Sequence, residues 1–128
     1  MEIDILKTMN IEMRNMGINY FYMINDSENI TYPYVTGEYF ENDYVDENLT
    51  TEGEFILDLW TRGSELSLIE LKEQIKDKFR NYQRVITGTN GRKLAVCISY
   101  ARKNPRYTDV EGLKRIEIIL QTKYWESE

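Results

Sequence analysis

At 128 residues, with 41% apolar and 30% charged side chains, the chain has the length of one domain and the composition of a globular protein rather than a disordered one. No apolar run approaches the roughly 18 residues of a membrane-spanning helix. One cysteine excludes an internal disulfide framework and suits a reducing cytosol, and the complete lack of histidine removes most familiar catalytic sites. The formal net charge of −6 is unevenly spread. Residues 15–61 hold ten Asp or Glu and no Lys or Arg, whereas residues 62–128 hold fourteen basic and nine acidic side chains. Such asymmetry speaks of association rather than of fold.

The opening MEIDILKTMN has neither the basic start nor the apolar block of a signal peptide. Its product is therefore expected to stay where it is made, and the sequons at Asn25, Asn29 and Asn48 carry no weight. Ile3, Leu6, Met9, Met13 and Met16 recur at three or four residues ahead of Gly17, which predicts an amphipathic helix over Glu2–Met16 with a left-handed glycine cap. NYFYMI predicts a short aromatic strand and NDSEN a turn. Pro33 permits a strand only from its own position onward or at an edge, so PYVTGEYFE is expected as an outer or early strand, with Gly37 at a bulge.

EFILDLWT alternates Phe55, Leu57 and Leu59 with Ile56, Asp58 and Trp60, as an antiparallel partner of the preceding strand would. SLIE, at Ser67–Glu70, has the spacing of a capping box and opens a helix with Leu68, Leu71, Ile75 and Phe79 on one face, ending near Asn81. Asn90-Gly91, between two apolar alternations, predicts a hairpin with a two-residue type I′ turn. Leu94, Val96, Ile98 and Tyr100 point one way, and Ala95, Cys97 and Ser99 the other. After a loop KNPRYTDVEG, a last long strand carries Ile116, Ile118, Leu120, Thr122 and Tyr124 on one face. The expected fold is a single α+β domain over 1–128, an antiparallel sheet with the N-terminal and central helices packed on its apolar face.

Without histidine there is no Ser-His-Asp or Cys-His nucleophile and no imidazole ligand. Cys97, in mid-strand, reads as a small packing residue, and GTNGRK as a hairpin rather than a phosphate loop. Asp43–Glu54 has the length of a calcium loop, but Val45 and Asn48 stand where a ligand and the glycine are needed. No metal, cofactor or catalytic residue is assigned. What remains is the stretch TYPYVTGEYFENDYVDENLTTEGEFILDLW, with eight carboxylates and no base. Tyr32, Tyr34, Tyr39, Phe40 and Tyr44 alternate there with Glu38, Glu41, Asp43, Asp46 and Glu47. Tyrosine-rich surfaces suit protein interfaces, and a solvated strand with tyrosines packed on one side explains the same pattern.

In order and spacing over about Tyr20–Trp125, the segments YPYVTGEYFE, GEFILDLWTRGS, SLIELKEQIKDKF and LKRIEIILQTKYW resemble the small tail-terminator (tail completion) proteins of tailed bacteriophages and prophages of Gram-positive bacteria. The resemblance implies an α+β domain without enzymatic activity that forms a six-fold ring. That ring caps the tail tube and joins it to the head-side connector, in the virion and, during assembly, in the host cytoplasm. It implies as partners further copies of the chain, the tail tube protein and the connector protein, with DNA a further contact in the ring lumen. On this reading Tyr39 and Tyr44 belong to the interface with Glu41, Asp43, Asp46 and Glu47, and these four acids face basic side chains of a neighbour or of the tail tube. Arg102, Lys103 and Arg106, in the last hairpin loop, are the expected counterparts, or else that loop lines the ring and meets passing DNA. The alternatives are a head-closure or other neck protein and an acidic DNA mimic directed at a host nucleic-acid-binding protein. A small ligand-binding enzyme domain has no polar constellation behind it.

Overall fold

A computed structural model describes residues 1–42 and 49–127. The chain runs α1 (Glu2–Asn15), β1 (Tyr20–Tyr22), β2 (Tyr34–Glu41), β3 (Thr51–Thr61), α2 (Glu65–Lys78), β4 (Tyr82–Thr87), β5 (Lys93–Arg106) and β6 (Lys114–Glu126). The six strands form one sheet in the order β1-β2-β3-β6-β5-β4. The class is α+β as the sequence predicts, but the sheet is mixed: β1 lies parallel to β2, and every other pairing is antiparallel. Among the described residues no helix is long and apolar enough to cross a membrane.

Alternation fixes which side of the sheet is buried. Val35, Phe55, Leu57, Leu59, Leu94, Val96, Ile98, Ile116, Ile118 and Leu120 are drawn from β2, β3, β5 and β6. They join Ile5, Met9, Met13, Leu68, Leu71, Ile75 and Phe79 in one apolar cluster. A one-residue slip in any of these strands would turn its whole apolar set outward, so the pattern also fixes register.

The N-terminal helix forms where expected, with its face turned. Ile5, Met9 and Met13, four residues apart, are fully buried, Leu6 and Met16 flank them, and Ile3 is half exposed. Gly17, at φ +74°, closes the helix as a Schellman motif, its N–H donating to Arg14 O and that of Ile18 to Met13 O.

β2 is an early strand that begins just after Pro33 and lies one strand in from the edge, with β1 outermost. Three other expectations need correction. Gly37 is not a bulge: it pairs in register with Leu57, and its missing side chain makes room for the Tyr20 ring, whose Cε1 stands 2.9 Å from where a Cβ would be. The central helix starts a turn before the SLIE signature, because Ser64 is the N-cap. Ser64 Oγ accepts from Leu66 N at 3.1 Å, and the Ser67 hydroxyl donates back to Ser64 O. Lastly, Asn90-Gly91 is not a two-residue turn. Gly88 N donates to Arg92 O and Gly91 N to Gly88 O, with Gly91 at φ +81°, which makes a three-residue loop ending in a left-handed glycine.

The last hairpin is longer than the alternation suggests. β5 continues through Arg106, paired to β6 throughout, with a bulge between Tyr100 and Arg102 that inserts Ala101. The bulge resets the alternation, so the apolar signal fades after Tyr100 although the strand does not end.

Candidate interaction surface

Strand order turns the uneven charge of the sequence into a gradient across the sheet. β1, β2 and β3 occupy one end and carry Glu38, Glu41, Glu52, Glu54 and Asp58 with no Lys or Arg. β5 and β4 occupy the other end and carry Arg84, Lys93, Arg102, Lys103 and Arg106 with no Asp or Glu. β6 lies between them and is mixed.

On the face opposite the core, ion pairs stitch the middle of the sheet. Arg115 of β6 reaches Asp58 of β3 at 2.9 Å, and its guanidinium lies 5.1 Å above the Trp60 ring. Trp60 stacks on Tyr34 at 6.1 Å and donates its indole N–H to Thr36 Oγ1. Tyr34 also meets Tyr32 and Phe21, and Arg62 sits over Tyr32. Half-burial holds the Asp58 carboxyl above its ordinary range, and Arg115 pulls it the other way. Farther along, Arg106 pairs with Glu117 at 2.8 Å, and Lys123 approaches Glu52 at 3.6 Å.

The residues singled out from sequence are scattered by this arrangement. Tyr39 is only 6% exposed, and its ring packs against Phe55. Glu41 shares its side of the sheet, and Oε2 accepts hydroxyl hydrogen bonds from Tyr39 and Tyr124, each at 2.8 Å. Burial, with the Glu41 charge adding to it, raises both phenols far above the ordinary tyrosine value, while Thr122 and Thr51 respectively oppose the rise. These two candidates therefore brace the inside of the sheet. Asp43, Tyr44, Asp46 and Glu47 lie outside the described residues.

Arg102, Lys103 and Arg106 are on strand β5 and not in a loop, a correction that follows from the bulge. Opposite Ile119, Ile118 and Arg115 respectively, Arg102 and Arg106 project to the outer face and Lys103 to the inner one. Arg106 is engaged by Glu117, whereas Arg102 and Lys103 are exposed.

The outer aromatic cluster around Tyr34 and Trp60 escaped sequence reasoning. The signal available was the cross-strand pairing of YPYVTG with DLWTRG, legible only once register is known. Cys97 is half-buried on the outer face beside Val85 and Trp125, in a shallow groove of about 310 Å³. Among the described residues no group of three or more Cys, Asp or Glu side chains is placed to hold a metal ion. No protein-family model matches the chain, and no curated protein does.

Proposed function

We propose that the protein is a structural component of a phage or prophage particle, a tail-terminator (tail completion) protein. Copies of it form a ring that caps the tail tube and joins it to the head-side connector. The observation that carries this reading is the charge gradient across the sheet, acidic at the β1–β3 end and basic at the β5–β4 end. In a closed ring each subunit contacts the next through two different patches. Opposite charge at the two ends of one sheet gives such a contact its direction and suppresses end-to-same-end pairing.

The second support is the side of the sheet opposite the core. Residues of α1 and α2 join the core cluster, and on this reading the outer aromatic and charged face meets the tail tube or the connector. The basic half weighs against a DNA mimic, whose acids would extend along the whole molecule. The protein acts by assembly and has no turnover of its own.

Deletion of its gene from the parent phage tests the reading. The expected result is full heads that fail to join tails, with tails of uncontrolled length, and restoration by the protein supplied in trans. Normal particles from the deletion strain would refute it.

A further inference from the structure

The two edges of the sheet are unlike, and neither is paired to a further strand among the described residues. Among the described residues β4 pairs with β5 and with no other strand, and β1 pairs only with β2. Exposed edge strands are normally blunted by charge, proline or a bulge, because their free N–H and C=O groups invite another strand. The β4 sequence, YQRVIT, carries one charge, no proline and no bulge. Val85 at its middle is 63% exposed.

Grooves flank this edge on both sides of the sheet. The outer one, about 310 Å³, is lined by Val85, Ala95, Cys97 and Trp125. The inner one, about 250 Å³, lies between β4 and α1 and is lined by Thr8, Ile11, Ile86 and Thr87. An added strand could therefore seat alternate side chains above and below the sheet.

The β1 edge has the complementary shape. Its strand ends in a γ-turn, Ile24 N donating to Tyr22 O around Met23 at φ +74°, a conformation that costs a non-glycine residue energy. The turn pushes Met23 and Ile24 into solvent at 57% and 70% exposure. Asp26 and Glu28 follow and form no ion pair among the described residues. At the opposite edge Arg84 also has no carboxylate partner there, and it is joined by Arg102 and Lys103 where β5 runs past the end of β4.

We infer that the β4 edge of one copy receives the β1 edge and its Met23–Ile24 knuckle from a second copy, so that the sheet continues head to tail between subunits. Phe21 and Tyr22 of the incoming strand alternate between the outer and inner grooves, while Asp26 and Glu28 approach Arg84 and the basic end of β5. The occupant is another copy because the basic charge and the two grooves at the β4 edge face, on the β1 edge, unpaired acidic side chains and the exposed Met23 and Ile24. This rests on the assembly reading above and names its contact.

Two exposed substitutions test it, with circular dichroism confirming that each variant is folded. Ile24→Lys spoils the β1 edge only, and Val85→Asp spoils the β4 edge only. Sedimentation of the parent protein is expected to show assembly that grows with concentration and weakens with salt. Each variant alone is expected to remain a single subunit. An equal mixture is expected to form a species of twice the subunit mass and nothing larger, because one sound β1 edge then meets one sound β4 edge.

A parent protein that stays a single subunit at every concentration overturns the inference, as does a mixture that does not pair. Assembly by either single variant overturns it too, while leaving the ring reading intact. Open filaments of the parent protein would uphold the edge contact and sink the closed ring.

Discussion

Tyr124 of β6 donates its hydroxyl to Glu41 of β2 at 2.8 Å, spanning the intervening strand β3, and Tyr39 donates to the same carboxylate oxygen. One acceptor thus satisfies two phenols on the core side of the sheet, beside Thr122. Glu41→Ala would leave both hydroxyls without it, and an unsatisfied buried donor costs about 1–3 kcal/mol. Glu41→Gln keeps an acceptor and is expected to cost less. Urea unfolding of the two variants checks the order; equal losses would mean that the carboxylate is merely solvated.

At the start of α2 the structure moves the cap from Ser67 to Ser64. Ser64→Ala is expected to cost about 1 kcal/mol, the ordinary loss of an N-cap. Ser67→Ala removes only a hydroxyl that donates to Ser64 O and is expected to cost less. Ile75→Ala and Phe79→Ala, at fully buried positions, should cost about 2–5 kcal/mol through cavities. A larger loss at Ser67 than at Ser64 in thermal unfolding would return the helix start to the later position.

Much of this fold was legible because burial writes itself as periodicity. β3, the first half of β5, β6 and the core face of α2 were readable from alternation or helical spacing. The errors fall where local pattern and tertiary context part company. The SLIE spacing imitated a cap inside a helix already begun, and the reset after Ala101 hid the end of β5. The parallel pairing of β1 depends on a connection through residues 23–33 whose course no local signal dictates. Of the candidate surface, the charge segregation was plain in the sequence. Its arrangement as a gradient required the strand order, and the inward placement of Tyr39 and Glu41 required the register.

The Tyr20 hydroxyl is buried over Gly37 and has no hydrogen-bond partner among the described residues. Burial raises its pKa well above the ordinary tyrosine value. Tyr20→Phe keeps the ring over the glycine and removes the unsatisfied group, so it is expected to raise stability by about 1 kcal/mol. Gly37→Ala is expected to lower it, because the new methyl would meet both the Tyr20 ring and Leu57 Cδ2, the latter 3.0 Å away. Denaturation midpoints that moved the opposite way in either variant would contradict the close approach of β1 to β2.

Alkaline pH probes the seam between α1 and β4. Burial, reinforced by the charge of Glu12 and opposed by Arg84, pushes the Tyr82 phenol up to about 12 from its ordinary value of 10.0. The neutral form is therefore the one the fold prefers. The contribution is fully present below about pH 10, where the unfolded chain's tyrosine is also neutral, and is lost as pH rises from there through about 12. Tyr39, Tyr124 and Tyr20 are shifted in the same direction, so their losses fall in the same alkaline range. Tyr82→Phe keeps the ring against Phe79 and removes the ionisable hydroxyl. Above about pH 10 the variant has one fewer group to ionise, and its alkaline unfolding midpoint is expected to move upward. Ellipticity followed against pH for the parent and the variant decides the matter. Coincident alkaline transitions would show that Tyr82 ionises as freely in the folded protein as in the unfolded chain.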